Sequence, residues 1–150
     1  MPILLVLFVL GSVFYFVPSL FFDGPVRADI SLKPDDQDLV DLGKLVYKNN
    51  CASCHGVNLE GQERWRVPDA NGYMPAPPHD ETGHTWHHPD QMLFEFTKYG
   101  PQKFAGSDYK SIMPAYDGKL NDEEIWNVLA YIKSKWPKEI QKKHTEVFGQ

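Results

Sequence analysis

Cys51 and Cys54, the only cysteines in a chain of 150 residues, stand three positions apart and are followed at once by His55. Two thiols at this spacing can each add to one vinyl group of a haem, and the adjacent imidazole then reaches the iron from the same side of the ring. C-x-x-C-H is the signature of that attachment. The competing readings are weaker. A disulfide within Cys51-Ala-Ser-Cys54 closes a tiny loop and staples nothing, and a thioredoxin-like pair needs a strand-to-helix context, whereas here the motif ends a helix. A zinc site needs four close ligands, and there is no second cysteine pair.

A second iron ligand decides what such a haem does. A thioether raises the potential and closes the iron, while an open position binds small molecules. Of the four methionines, Met1 is at the far end of an apolar leader and Met92 lies on an amphipathic stretch where core packing is the default role. Met74 and Met113 both sit in Met-Pro-Ala, so the tripeptide alone does not choose between them. His79, Asp80, His84, His87 and His88 form a dense cluster that could take copper or zinc, hydrogen-bond haem propionates, or replace methionine. Packing against the haem around Trp86 is favoured over a second metal. Arg64, Trp65, Arg66 and Tyr73 are further propionate candidates, having the donors that suit carboxylates.

The elements that must position these groups are helical. Residues 36–50 place Leu39, Leu42, Gly43, Val46 and Tyr47 on one helical face, with Asp35, Asp36 and Asp38 at the positive end of its dipole. Pro89 opens a second helix carrying Met92, Leu93, Phe96 and Tyr99, and Gly100 stops it. Asn121 and Glu124 make a capping-box start for a third, striped by Ile125, Val128, Leu129 and Ile132 and ended by Pro137. Residues 56–88 and 101–120 show no period and read as loops ordered by what they cover. The fold class is all-α, with negligible strand signal and no internal repeat.

Residues 1–22 hold no charge, and a helix over them at ~1.5 Å per residue spans about 30 Å, the hydrocarbon thickness of a bilayer. They read as a transmembrane anchor or a signal segment. The anchor is favoured because no Lys or Arg precedes the apolar run, although Val26-Arg27-Ala28 could serve as a cleavage site. Residues 23–34 are a linker, 35–137 the domain, and 138–150 a C-terminal tail or short peripheral helix. With 15 Lys and Arg against 20 Asp and Glu, net −5, the chain lacks the clustered cations that phosphate binding needs, so nucleic acid is not an expected partner.

The Gly43-x-x-x-Tyr47 helix running into CASCH, the Met-Pro loop and the last helix with Tyr131 together resemble a class I c-type cytochrome over residues 36–136. That resemblance implies one covalently attached haem c on Cys51 and Cys54, and first and last helices meeting at Gly43, Tyr47 and 129–132. It makes His55 the proximal iron ligand through Nε2, its other nitrogen held by the carbonyl of Pro77 or Pro78, and Met113 the distal ligand, with Met74 second. It also implies a non-enzymatic one-electron carrier on the outer, periplasmic side of a bacterial cytoplasmic membrane. Its donor would be a complex such as a quinol-oxidising one and its acceptor a terminal oxidase. The alternatives are a haem-based sensor or enzyme with a labile distal ligand, and a cytochrome subunit of a dehydrogenase or copper-handling system.

Overall fold

In the computed structural model, residues 31–106 and 108–148 are described; the predicted membrane segment at 1–22 and most of the 23–34 linker lie outside them. Among the described residues no helix is long and apolar enough to cross a membrane.

Helix α1 (Gln37–Asn50) starts where the Asp36 side chain accepts the Leu39 N–H at 3.3 Å. It buries Val40, Gly43 and Tyr47, whereas Leu42, placed on the buried face by its spacing, is 49% exposed. The buried face is turned toward Val40 because Gly43 must sit against backbone. Helix α5 (Asp122–Ser134) has the predicted capping box, Asn121 and Glu124 each bonding the other's backbone N–H. It packs on α1, and a Cβ on Gly43 would fall onto the Asn127 carbonyl oxygen and 3.0 Å from Tyr131 Cβ. Tyr47 and Tyr131 meet one turn along, with ring centroids 5.4 Å apart. The predicted stripe of α5 is buried, and so are Asn127, Ala130, Tyr131 and Lys133; Asn127 and Tyr131 are the residues that meet Gly43 of α1.

Helix α3 (Asp90–Tyr99) takes Pro89 as its N-cap rather than its first residue, and Gly100 closes it with φ 82°. The loops on either side contain the short α2 (Ala52–His55) and α4 (Gln102–Ala105). They also contain a two-residue parallel pairing of β1 (Tyr73–Met74) with β2 (Lys110–Ser111). The class is therefore mostly helical, with one small strand pair the sequence pattern did not signal. Beyond Pro137 the chain forms helix α6 (Lys138–Phe148), with Gln141 and His144 buried. The predicted tail or peripheral helix is a docked helix, held by polar contacts that an apolar stripe does not register.

Substituting Gly43 by Ala should push α1 away from the α5 backbone, costing about 2 kcal/mol as an overpacking change. A thermal melt of the haem-loaded protein should then show Tm lower by about 10 °C.

Candidate haem site

Cys51 belongs to two helices at once. Its N–H closes α1 onto the Tyr47 carbonyl at 2.8 Å, and its own carbonyl accepts from Cys54 at 3.1 Å and His55 at 2.9 Å. One helical turn thus brings both thiols and the imidazole to one wall of a cavity of about 430 Å³. Tyr47 fixes the end of that turn by donating its hydroxyl to the Gly56 carbonyl at 2.9 Å.

His55 is 6% exposed and its Nδ1 lies 2.9 Å from the Pro77 carbonyl oxygen. A carbonyl only accepts, so Nδ1 carries the proton and Nε2 keeps a lone pair. Burial pushes the imidazole below its ordinary value, partly opposed by the Pro77 bond, so His55 is neutral at physiological pH, the form that ligates a metal. Of the two prolines predicted for this contact, the structure selects Pro77. Its position is set by Gln62, which exchanges backbone and side-chain bonds with Ala76 at 2.9 and 2.8 Å. Gly61 supports it too: its φ is 69°, and a Cβ there would lie 2.7 Å from the Pro77 carbonyl carbon.

His79 stacks on His55 with centroids 4.0 Å apart. Thr85 Oγ1 lies 2.8 Å from its Nδ1, and its carbonyl accepts from Trp136 Nε1 at 2.8 Å. Burial drives His79 well below the ordinary imidazole value. Cys51 and Cys54 are not joined to each other by a disulfide, and burial, then the neighbouring Cys54, pushes the Cys51 thiol up to about 12. A redox-active cysteine has the opposite property, a depressed pKa.

The structure brings both candidate methionines to the cavity wall. Met113 lies on the segment after β2, and Tyr116 anchors that segment by donating its hydroxyl to the Asn50 carbonyl at 2.6 Å. Met74 arrives through β1, where it is the register partner of Ser111. His79, His84 and His88 also line the cavity. Arg64, Trp65, Arg66 and Tyr73, read as propionate partners, do not, and neither does Trp86. Arg66 and His84 instead stack on Trp65, at 3.9 and 5.2 Å, and Trp86 stacks on His87 at 3.7 Å. The histidine cluster is thus committed to aromatic contacts, and among the described residues no group of three or more His, Cys, Asp or Glu could hold a metal ion. Sequence reasoning missed Gln62 and Thr85, for which no motif exists, and Gly61, whose only signal is being a glycine in a loop.

Two thiols and a neutral imidazole stand on one wall, methionine sulfur is within the lining, and the rest is largely apolar, with Leu93, Phe96, Val128, Leu129 and Ile132. These residues fit a flat apolar macrocycle with a metal at its centre.

A family model described as Cytochrome c matches residues 40–136. Cytochrome c6 of Diacronema lutheri is 31% identical over 97 residues, covering 62% of this chain and 92% of that protein. The cbb3-type cytochrome c oxidase subunit FixPc of Rhizobium leguminosarum bv. viciae is 24% identical over 101 residues, covering 67% of this chain and 29% of that longer protein. No solved structure gives a significant match.

Replacing Tyr116 by Phe should leave the part-buried Asn50 carbonyl without its donor, at a cost of about 1–2 kcal/mol. Hydrogen exchange should report it as faster opening of residues 109–118 with little change in α1 and α5.

Proposed function

Because this chain belongs to the cytochrome c family, whose members carry covalently attached haem c, we propose that it is a one-electron carrier with His55 and Met113 as axial ligands. The observation that carries this reading is the His55 ring, locked by Pro77 with Nε2 free, in one cavity with Cys51, Cys54 and Met113. When bound, haem supplies a one-electron iron couple whose potential a thioether ligand raises.

The residues of the chain do the rest. Cys51 and Cys54 hold the macrocycle by thioether bonds, and the Pro77 carbonyl keeps the imidazole in one tautomer and one orientation. The docked 109–116 segment holds the Met113 sulfur in place, and the apolar wall excludes water. A ligand set that does not change between oxidation states needs little rearrangement for each electron moved, which suits a carrier rather than an enzyme.

The partners are larger redox proteins. The donor is a quinol-oxidising complex and the acceptor a terminal oxidase; the Rhizobium relative's name, a cbb3-type oxidase subunit, supports a link to an oxidase. Residues 1–22 serve as a single-pass anchor, with the haem domain on the periplasmic side of a bacterial cytoplasmic membrane. Met74 shares the cavity with Met113 and is the competing methionine.

The optical spectrum of the dithionite-reduced protein should be low-spin and unchanged by CO. Met113→Ala should lose the methionine-to-iron charge-transfer absorption of the oxidised form and bind CO when reduced, while Met74→Ala should do neither. The opposite pattern makes Met74 the ligand, and a prompt CO complex in the unaltered protein replaces electron carriage by small-ligand sensing or catalysis.

A further inference from the structure

Behind the cavity lies a group of buried ionisable side chains that electron carriage alone does not use. Asp90 at the start of α3, Lys133 in α5 and His144 in α6 are 3%, 2% and 2% exposed. Lys133 Nζ is 3.9 Å from Asp90 Oδ2, and His144 Nε2 is 3.6 Å from Asp90 Oδ1. Asp90 Oδ2 also accepts the Leu32 backbone N–H at 3.0 Å. His144 Nε2 lies 2.9 Å from the His88 carbonyl oxygen, so Nε2 is the donor and Nδ1 the open lone pair. Nδ1 and Asp90 Oδ1 are both buried with no hydrogen-bond partner, an uncommon state for buried polar atoms. A basic nitrogen left open on a ring whose other nitrogen lies 3.6 Å from a buried carboxylate is a proton acceptor held ready.

Each member is one step from the cavity wall. Lys133 follows Ile132, Asp90 lies one turn before Leu93, and His144 holds the carbonyl of His88; Ile132, Leu93 and His88 all line the cavity. A charge gained at His144 is therefore felt at the iron across residues of the cavity wall, through protein in which Coulomb interactions are less screened than in water.

We propose that His144, set between Asp90 and Lys133, is a redox-linked proton site, so that an electron delivered to the haem by a redox protein is accompanied by a proton taken from water onto His144 Nδ1. Uptake forms the N–H bond as an O–H bond of the donating water breaks, leaving hydroxide, and loss of the electron returns the proton to that base. The proposal rests on the electron-carrier reading above.

The groups facing His144 set the sign. Asp90 on α3 favours its protonated form and Lys133 on α5 disfavours it. From the segment before α1 the Leu32 N–H is directed at Asp90, while the Trp136 and Phe148 rings cover the imidazole at 5.1 and 5.2 Å. Burial, with Lys133, outweighs the His88 carbonyl and Asp90, so the folded-state pKa lies below the ordinary imidazole value. His144 is neutral at pH 7 and charges as the pH falls, and its positive charge favours the reduced iron. The potential should therefore rise as the pH drops below about 6.5.

The test is an optical redox titration of the full-length, haem-loaded protein between about pH 5 and 8. The expected result is a potential that rises toward acid as one proton binds about tenfold more tightly to the reduced form, equivalent to ~59 mV for one electron. His144→Gln, which keeps an N–H donor for the His88 carbonyl, should remove that rise and leave the reduced spectrum unchanged. A slope unaltered in His144→Gln overturns the proposal. NMR titration of the His144 ring in the unaltered protein, reduced and oxidised, gives an answer even if the variant does not fold: a higher midpoint in the reduced state supports the site, and equal midpoints overturn it. CO binding to the reduced protein would overturn the carrier reading and the proposal with it, whereas equal midpoints in a CO-inert protein overturn the proposal alone.

Discussion

The hydrogen bond from His55 Nδ1 to the Pro77 carbonyl is the constraint around which the rest of the domain is arranged. It decides which imidazole nitrogen faces the cavity and ties the end of the first helical pair to a loop 22 residues further on. A carbonyl in an irregular segment is a poor anchor unless that segment is itself held. Gln62 grips Ala76 from one side, and Gly61 allows the 56–62 turn to press directly on the Pro77 peptide. On the other side His79 is pinned by the Leu59 carbonyl, Thr85 and Trp136. The long loop is ordered by polar bonds distributed along it, most of them satisfying a backbone group.

The same loop explains why the C-terminal helix matters to the haem side of the molecule. Trp136, between α5 and α6, donates to the His79 carbonyl, and His144 reaches the His88 carbonyl from α6. Both ends of the histidine-rich stretch are therefore supported by residues far away in sequence. Burying Asp90 and Lys133 together costs desolvation that an apolar pair would not incur, and such groups are retained where they set a specific arrangement or move charge.

Much of this was legible in the residues. CASCH, the Gly43 and Tyr47 spacing, the Asn121 and Glu124 box and the Ile125 stripe each depend on local chemistry or on helical period, and both are written in short stretches of chain. The buried face of α1 was only partly legible, because period places Leu39 and Leu42 beside Gly43 but cannot say that the contact is made by backbone and so is centred nearer Val40. The placement of Arg64, Trp65, Arg66 and Trp86 outside the cavity lining was not legible for a different reason: donor type says what a side chain can bind and not which way a loop turns. The β1 and β2 pairing and the Asp90, Lys133 and His144 cluster rest on contacts between residues distant in sequence, for which no local pattern exists.

The wall formed by Leu93, Phe96, Val128, Leu129 and Ile132 belongs to the same helices that build the protein core, and Leu93, Val128, Leu129 and Ile132 are members of that core as well as of the cavity lining. For a domain of this size that apolar surface is a substantial share of what holds the fold together. Haem attachment is therefore a step in building the protein as much as in equipping it. A chain that misses attachment lacks part of its interior, leaving α1 and α5 to hold each other by the Gly43 and Tyr47–Tyr131 contacts without the wall that the cofactor would back. Failed maturation would then show itself as a poorly folded chain open to proteolysis, and not as an intact but colourless protein.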